Sequence, residues 1–379
     1  MLIKIGAKNF YSFNEGIELS FQLGKNCPQE ISNDKRYSNI MCIKGANGSG
    51  KTNILKILSF LKRFCCNSFE NKPEQDIVVD SFFNNEKVVE LFIEFETLKI
   101  KYRYEVTLTQ KEILSEIIYK KERRSIAILI RKKNEIDICV DDYKELKKIK
   151  LRTNASIIST AHQYEIKNIA PIYSFLNSII SNVGSFGFID FNPPVSDISM
   201  YYNAFPDNFE FVKKLICSFD MGIDNIKIFS RKDENGSDIF YPGFFYKVDR
   251  KERFLTIHTQ SSGTKTLYNR LSFFKNVLDI GGILVLDELE MNLHPDILPH
   301  LLRLFTDEKI NKKNAQLIFT THITEIMDIC GKYRTFLVNK ENNESYGYRL
   351  DEIPGDILRN DRPISPIYKA GKIGGIPKI

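Results

Sequence analysis

Gly45-Ala46-Asn47-Gly48-Ser49-Gly50-Lys51-Thr52 follows the pattern G-x-x-x-x-G-K-[ST]. Glycines in such a loop let backbone N–H groups curl around phosphate oxygens, and the positive end of a following helix adds to the attraction. Lys51 has the reach for the β- and γ-phosphates of a nucleotide, and the Thr52 hydroxyl suits Mg²⁺. Residues 45–53, closing with Asn53, are therefore expected to bind ATP with Mg²⁺.

A second set of residues completes that chemistry. Ile283-Leu284-Val285-Leu286 is an apolar run that ends in Asp287-Glu288. Asp287 is expected to hold Mg²⁺ with Thr52, and Glu288 to polarise the attacking water. Four apolar residues before two carboxylates are a weak signal alone, but beside a phosphate loop they form the other half of one metal and phosphate site. Thr320-Thr321-His322 ends the next apolar run, and His322 is expected to sense the γ-phosphate. Catalysis is thus assigned to Lys51, Glu288 and His322. Ser261-Ser262-Gly263-Thr264 precedes a helical pattern and reads either as an N-cap with a polar turn or as a second phosphate grip. A second grip at the far end of the same sheet requires a head-to-tail dimer, in which Ser261, Ser262, Gly263 and Thr264 serve the partner's nucleotide.

These residues need strands and helices to hold them. Leu2 to Ala7, Ile17 to Gln22 and Ile40 to Lys44 read as short strands. From Lys51 the period changes, with apolar Ile54, Ile57, Leu58, Leu61 and Phe64 on one helical stripe. Residues 88–140 alternate with period two, as a half-buried antiparallel meander does. Residues 143–183 read as mainly helical, 209–219 as a helix, and 239–259 as strands. A helix to about Leu278, the strand at 283–286, a helix over 295–305, a strand at 316–320 and a short helix over 324–330 follow. Wholly apolar strands alternating with helices predict a parallel sheet covered on both faces.

The composition admits this and excludes other classes. The 379 residues are 42% hydrophobic and 27% charged, ordinary for a globular protein and wrong for a disordered one. The net charge of +6 is concentrated: residues 111–152 hold thirteen Lys or Arg against eight Asp or Glu. That segment is expected to be a solvated face or a nucleic-acid surface. The seven scattered cysteines form neither C-x-x-C pairs nor a metal-like cluster, as in reduced proteins of the cytoplasm. The N-terminus does not read as a signal peptide and no run is long enough to span a bilayer, so a cytoplasmic protein without a membrane partner is expected.

The order Asn9-Phe10…Ser12-Phe13, G-A-N-G-S-G-K-T-N, S-S-G-T, L-V-L-D-E, L-H-P and T-T-H resembles the ABC-type ATPases of the SMC, RecF and OLD kind. Within that group the chain is most similar to AbiL-type abortive-infection ATPases of the AAA family. The meander K-Y-R-Y-E-V-T-L and the tail from Tyr368 to Pro377 agree with them, whereas residues 111–200 match loosely. The resemblance implies an α/β P-loop NTPase of ABC-ATPase type: a mixed sheet plus an antiparallel β subdomain, with a helical and basic insertion. Its parts would be an N-terminal lobe over 1–110, an inserted arm over 111–208 and a C-terminal lobe over 209–379. It further implies an ATP-sandwiching homodimer or higher homo-oligomer, slow regulatory hydrolysis, and a toxin or nuclease effector encoded nearby and controlled in anti-phage defence. No Toprim-like nuclease segment follows His322, so the effector would be a separate protein.

The alternative is a DNA-repair or DNA-clamp ATPase of the RecF type, with nucleic acid tracked by residues 111–152, Arg123, Arg124, Lys132 and Lys133 among them. A transporter ATPase would lack both the large insertion and the N-F-x-S-F strand, and Asn339-Lys340-Glu341-Asn342 lacks the Asp of the guanine motif N-K-x-D. The glutamine that such ATPases place after the phosphate loop has Gln75 as its candidate. Replacing Lys51 by Ala is expected to abolish tight nucleotide binding, read by titration with a fluorescent ATP analogue.

Overall fold

A computed structural model describes residues 1–190, 193–355 and 357–376. All six residues of the strand Ile40–Gly45 are buried. Successive strand residues face opposite ways, so such a strand needs cover on both sides. On one side Met41 and Ile43 pack into a core with Ile54, Leu58 and Leu61 of the helix Lys51–Asn67. On the other, Ile40 and Cys42 join Leu271 and Phe274 of the helix Ser262–Ile280 and Leu298 and Leu301 of the helix Ile297–Thr306. The strand Ile283–Leu286 divides in the same way, Ile283 and Val285 to the first core and Leu284 and Leu286 to the second.

The sheet so covered has six strands, in the order Glu344–Arg349, Thr335–Glu341, Ile40–Gly45, Gln316–Thr320, Ile283–Leu286, Ile179–Ser181. Its neighbours run parallel except at the edge, where Glu344–Arg349 pairs antiparallel with Thr335–Glu341. A second, seven-stranded antiparallel sheet closes the first core, with Leu2–Lys8 between Ile17–Ser20 and Val89–Thr97. The α/β class, the mixed sheet and the antiparallel subdomain are all as expected.

Three differences bear on function. The seven-stranded sheet continues without a break from Ile100–Leu108 into Ile113–Lys121, Ser125–Lys132 and Glu135–Cys139. The expected boundary at residue 111 falls between two paired strands, and residues 113–139 belong to the body of the subdomain rather than to an arm. Residues 143–183, expected as mainly helical, hold the short helices Ile157–Gln163 and Ala170–Asn177 and then Ile179–Ser181, the sixth strand of the core sheet. Three residues are too few to reveal a period. The hairpin of Thr335–Glu341 and Glu344–Arg349 was not anticipated either, nor was Asn225–Lys232, which pairs with Asp238–Val248. Pro377, the last residue of the tail that carried the resemblance, lies outside the described residues. Among them no helix is long and apolar enough to cross a membrane.

What locks residues 113–157 to the subdomain is a buried ion pair. Arg131 and Glu116 are both fully buried, with Nη1 to Oε2 at 2.6 Å. Charges out of water need every donor and lone pair satisfied. Glu116 also accepts from the hydroxyls of Tyr104 at 2.6 Å and Ser156 at 2.8 Å, and from the backbone N–H of Ile157. Arg131 donates as well to the carbonyls of Lys133, Arg152 and Ala155. Replacing Arg131 by Met strands Glu116, and should cost about 3–5 kcal/mol of stability in urea unfolding. Arg131→Met with Glu116→Leu should cost less than the single change.

Candidate functional site

The loop 45–50 leaves the buried strand and turns into the helix Lys51–Asn67. Gly50 has φ of +108°, and a Cβ there would lie 2.6 Å from the Ser345 hydroxyl and 2.8 Å from that of Ser12. Only glycine allows both that backbone and that approach. Gly45 is equally confined, since its Cβ would meet the Val338 carbonyl at 2.3 Å. The loop is thus pressed between the N-F-x-S-F turn and the C-terminal hairpin. Phe10 and Phe13 of that turn are fully buried anchors, and the Ser12 hydroxyl accepts from the Asn53 side chain at 2.8 Å. Asn53, expected to bind ATP, is committed here to bracing the helix.

Lys51 is folded over the loop, its Nζ donating to the carbonyls of Gly45 and Ala46 at 3.0 Å each. Burial lowers its pKa, and the carboxylates of Asp287, Glu288 and Glu290 act against that shift. The same three acids place its positive charge in an anionic surround. Among the described residues the buried Ser49 hydroxyl has no hydrogen-bond partner.

Asp287 comes to the helix start from the end of the strand Ile283–Leu286. Thr52 Oγ1 donates to its Oδ2 at 2.7 Å and Thr320 Oγ1 to its Oδ1 at 2.5 Å. The side chain of Asn182 clamps its backbone, accepting from Asp287 N at 2.7 Å and donating to Asp287 O at 3.0 Å. Glu288 takes the left-handed conformation at φ +50°, uncommon away from glycine, with its N–H bonded to Thr320 Oγ1 at 2.8 Å. Its carboxylate stands 3.7 Å from His322 Nε2, both side chains half exposed. The His322 backbone is held at both ends, its N–H by Glu290 at 2.5 Å and its carbonyl by Lys44 at 2.5 Å.

The expected residues Lys51, Thr52, Asp287, Glu288 and His322 therefore converge. Two of those that hold them were missed. Thr320 stands in the T-T-H string, but nothing in sequence assigns its hydroxyl to Asp287. Asn182 directly follows a strand, Ile179–Ser181, that is too short to be seen. Gln75 is corrected: it is an exposed residue whose Oε1 accepts from Lys72 N at 2.8 Å, with no bond to this cluster. The string Asn339-Lys340-Glu341-Asn342 is strand and hairpin turn, Asn342 and Asn343 both having positive φ, as in a two-residue turn of type I′.

Ser261 to Thr264 stand apart, at the start of the helix Ser262–Ile280. Ser261 is its N-cap, accepting from Thr264 N at 3.1 Å, and Thr264 Oγ1 donates to Asp220 Oδ2 at 2.9 Å. Among the described residues they share no hydrogen bond with the phosphate loop. Five of the basic residues in 111–152 are tied in ion pairs, Arg131 internally, Lys132 to Asp137 and Lys133 to Glu112 among them. Lys132 and Lys133 stay largely exposed within their pairs, whereas Arg131 is withdrawn from the surface altogether.

Among the described residues no three His, Cys, Asp or Glu side chains converge as a metal cage would. Thr52 and Asp287 offer two hard oxygens side by side, a set that fits Mg²⁺ completed by phosphate oxygens and water. Thr320→Val removes one support of Asp287 and the partner of Glu288 N–H. A shift to higher Mg²⁺ requirement for nucleotide binding, about tenfold, is expected in a titration at fixed ATP.

A family model described as "AAA domain, putative AbiEii toxin, Type IV TA system" matches residues 40–328. Among solved structures, the chain is similar to an SMC head bound to the C-winged helix domain of ScpA, at 14% identity and a TM-score of 0.47 over 92% of this chain and 96% of that one. An SMC head domain from Thermotoga maritima gives 17% identity and a TM-score of 0.46 over 92% and 98%. No curated protein matches.

Proposed function

The chain belongs to the AAA-domain family whose model covers its residues 40–328, and on that premise we propose that it binds and hydrolyses ATP as an ABC-type ATPase that dimerises around the nucleotide. The observation that carries this reading is the convergence on one helix start of Thr52, Asp287 and Thr320, with Lys51 held over the loop. Lys51 exchanges the carbonyls of Gly45 and Ala46 for phosphate oxygens, which are the better acceptors because they carry charge. Loop N–H groups and the buried Ser49 hydroxyl add donors. Thr52 and Asp287 hold Mg²⁺, which neutralises charge on the phosphate oxygens when bound. Glu288 takes the proton of the attacking water, and His322, fixed through its backbone by Glu290 and Lys44, faces the γ-phosphate beside it.

Ser261, Ser262, Gly263 and Thr264 serve the partner's nucleotide in this reading. Asp220 orients the Thr264 hydroxyl, and the N-terminus of a nineteen-residue helix faces the phosphate. The family description names a toxin and a type IV toxin–antitoxin system. We assign this chain the ATP-dependent control of a toxin or nuclease effector in anti-phage defence. The parts of the proposed machine are a head from 1–110 and 209–379, with 111–208 built into its sheets.

Glu288→Gln should trap an ATP-bound dimer, visible as a stable shift in size-exclusion light scattering, with hydrolysis cut at least a hundredfold. Wild-type turnover in that variant would remove Glu288 from the chemistry. Ser261→Ala should lower hydrolysis while monomers still bind ATP, and mixing it with Lys51→Ala should restore one competent half-site.

A further inference from the structure

The strands Asn225–Lys232, Asp238–Val248 and Lys251–Thr256 form a sheet of their own, separate from the core sheet that carries the phosphate loop and Asp287. Its two faces differ. Ile226 and Phe244 enter the second core with Ile198, Tyr202 and Tyr268. Strand residues alternate, so Phe229, Tyr241, Phe245 and Phe254 fall on the other face, and none of them belongs to that core.

Their rings pave this face. Around Phe229 stand Tyr241, Phe245 and Phe254, with centroids at 5.8, 6.2 and 6.2 Å and ring planes 26–37° apart. Gly243 gives them room, since a Cβ there would lie 2.7 Å from the Phe229 ring and 3.5 Å from that of Phe254. Phe229 therefore lies down on the backbone. Phe245 is buried beneath its neighbours, Phe229 and Tyr241 are half-buried, and Phe254 is 54% exposed. Two cations share the face: Lys227, whose Nζ is 4.3 Å from the Phe245 centroid, and exposed Arg231. Among the described residues neither is in an ion pair, whereas Lys232 and Lys247 are held by Asp238 and Asp224. The acid of the edge strand, Glu252, stands opposite Lys247. Where the edge strand ends, a notch of about 430 Å³ opens beside Tyr241 and Phe254, bordered by Arg231, Ile239 and His258.

We infer that this face binds single-stranded nucleic acid, with bases stacked on the rings around Phe254 and phosphates drawn to Lys227 and Arg231. Every base has a flat face, so a paved surface takes any sequence. A duplex hides those faces between its own base pairs; a single strand presents them. An extended polypeptide would need pockets for alternate side chains, which a level surface of rings does not supply. The site is distinct from residues 111–152, where charge alone suggests nucleic acid. It goes beyond the ATP reading and stands without it.

The test follows the fluorescence anisotropy of labelled oligo(dT), oligo(U) and a dA·dT duplex, each of about 20 nucleotides and so longer than one such site, titrated with the full chain. A single strand should bind at least about tenfold more tightly than the duplex, and the tighter of the two single strands assigns DNA or RNA. Phe254→Leu keeps an apolar side chain but removes the ring, and should weaken single-strand binding about tenfold, while Phe254→Tyr should stay within about twofold of wild type. Lys227→Ala with Arg231→Ala should flatten the fall of affinity with salt by about 1.4 in log–log slope, as expected for two phosphate contacts. Absence of single-strand binding at low salt, equal affinity for the duplex, or unchanged affinity in Phe254→Leu overturns the inference. A loss confined to Arg123→Glu with Arg124→Glu moves the binding to residues 111–152 and overturns it as well.

Discussion

Asp287 is where the chain is drawn together. Its two carboxylate oxygens accept from Thr52 on the helix after the phosphate loop and from Thr320 on the neighbouring strand, while Asn182 grips its backbone from the other neighbouring strand. A buried carboxylate without donors is costly, so each of these groups is needed where it stands. The helix cannot shift relative to the sheet without breaking one of them. Thr52 and Asp287 are 235 residues apart in sequence, and the order of strands in the core sheet exists to bring them within one hydrogen bond.

The phosphate loop is held from outside as firmly as Asp287 is from within. Ser12, in the turn after the strand Leu2–Lys8, and Ser345, in the C-terminal hairpin, crowd Gly50 from two sides, and Ser345 N donates to Ser12 O at 2.8 Å, so turn and hairpin brace each other across it. The antiparallel subdomain carries that brace. Its far strands are fixed in turn by Glu116 and Arg131, a pair with no exposure to solvent and a full set of partners.

Much of this was legible in the sequence. The phosphate loop, the Asp287 strand and His322 are local strings whose residue types match a chemistry, and the buried strands announce themselves as continuous apolar runs. What was not legible depends on pairing at a distance. Arg131 reads as one more cation in a basic stretch, yet it is buried against Glu116, while Lys132 and Lys133 stay exposed beside Asp137 and Glu112. Charge counting along a chain takes no account of partners across a sheet. Asn182 and the strand Ile179–Ser181 carry too short a pattern to be read, and Gln75 had the right residue type in the wrong place.

By itself the sequence determined the chemistry available: a glycine loop with Lys51 and Thr52, two acids after an apolar strand, and a histidine after the next. Those are properties of short segments, set by backbone freedom and side-chain type. Only the tertiary structure decided which groups support them, that residues 113–139 extend a sheet rather than an arm, and that Phe229, Tyr241 and Phe254, from three strands, meet on one face of a sheet. The physical reason is that strand order and cross-strand register bring together residues hundreds of positions apart, and no local period records which strand will lie beside which.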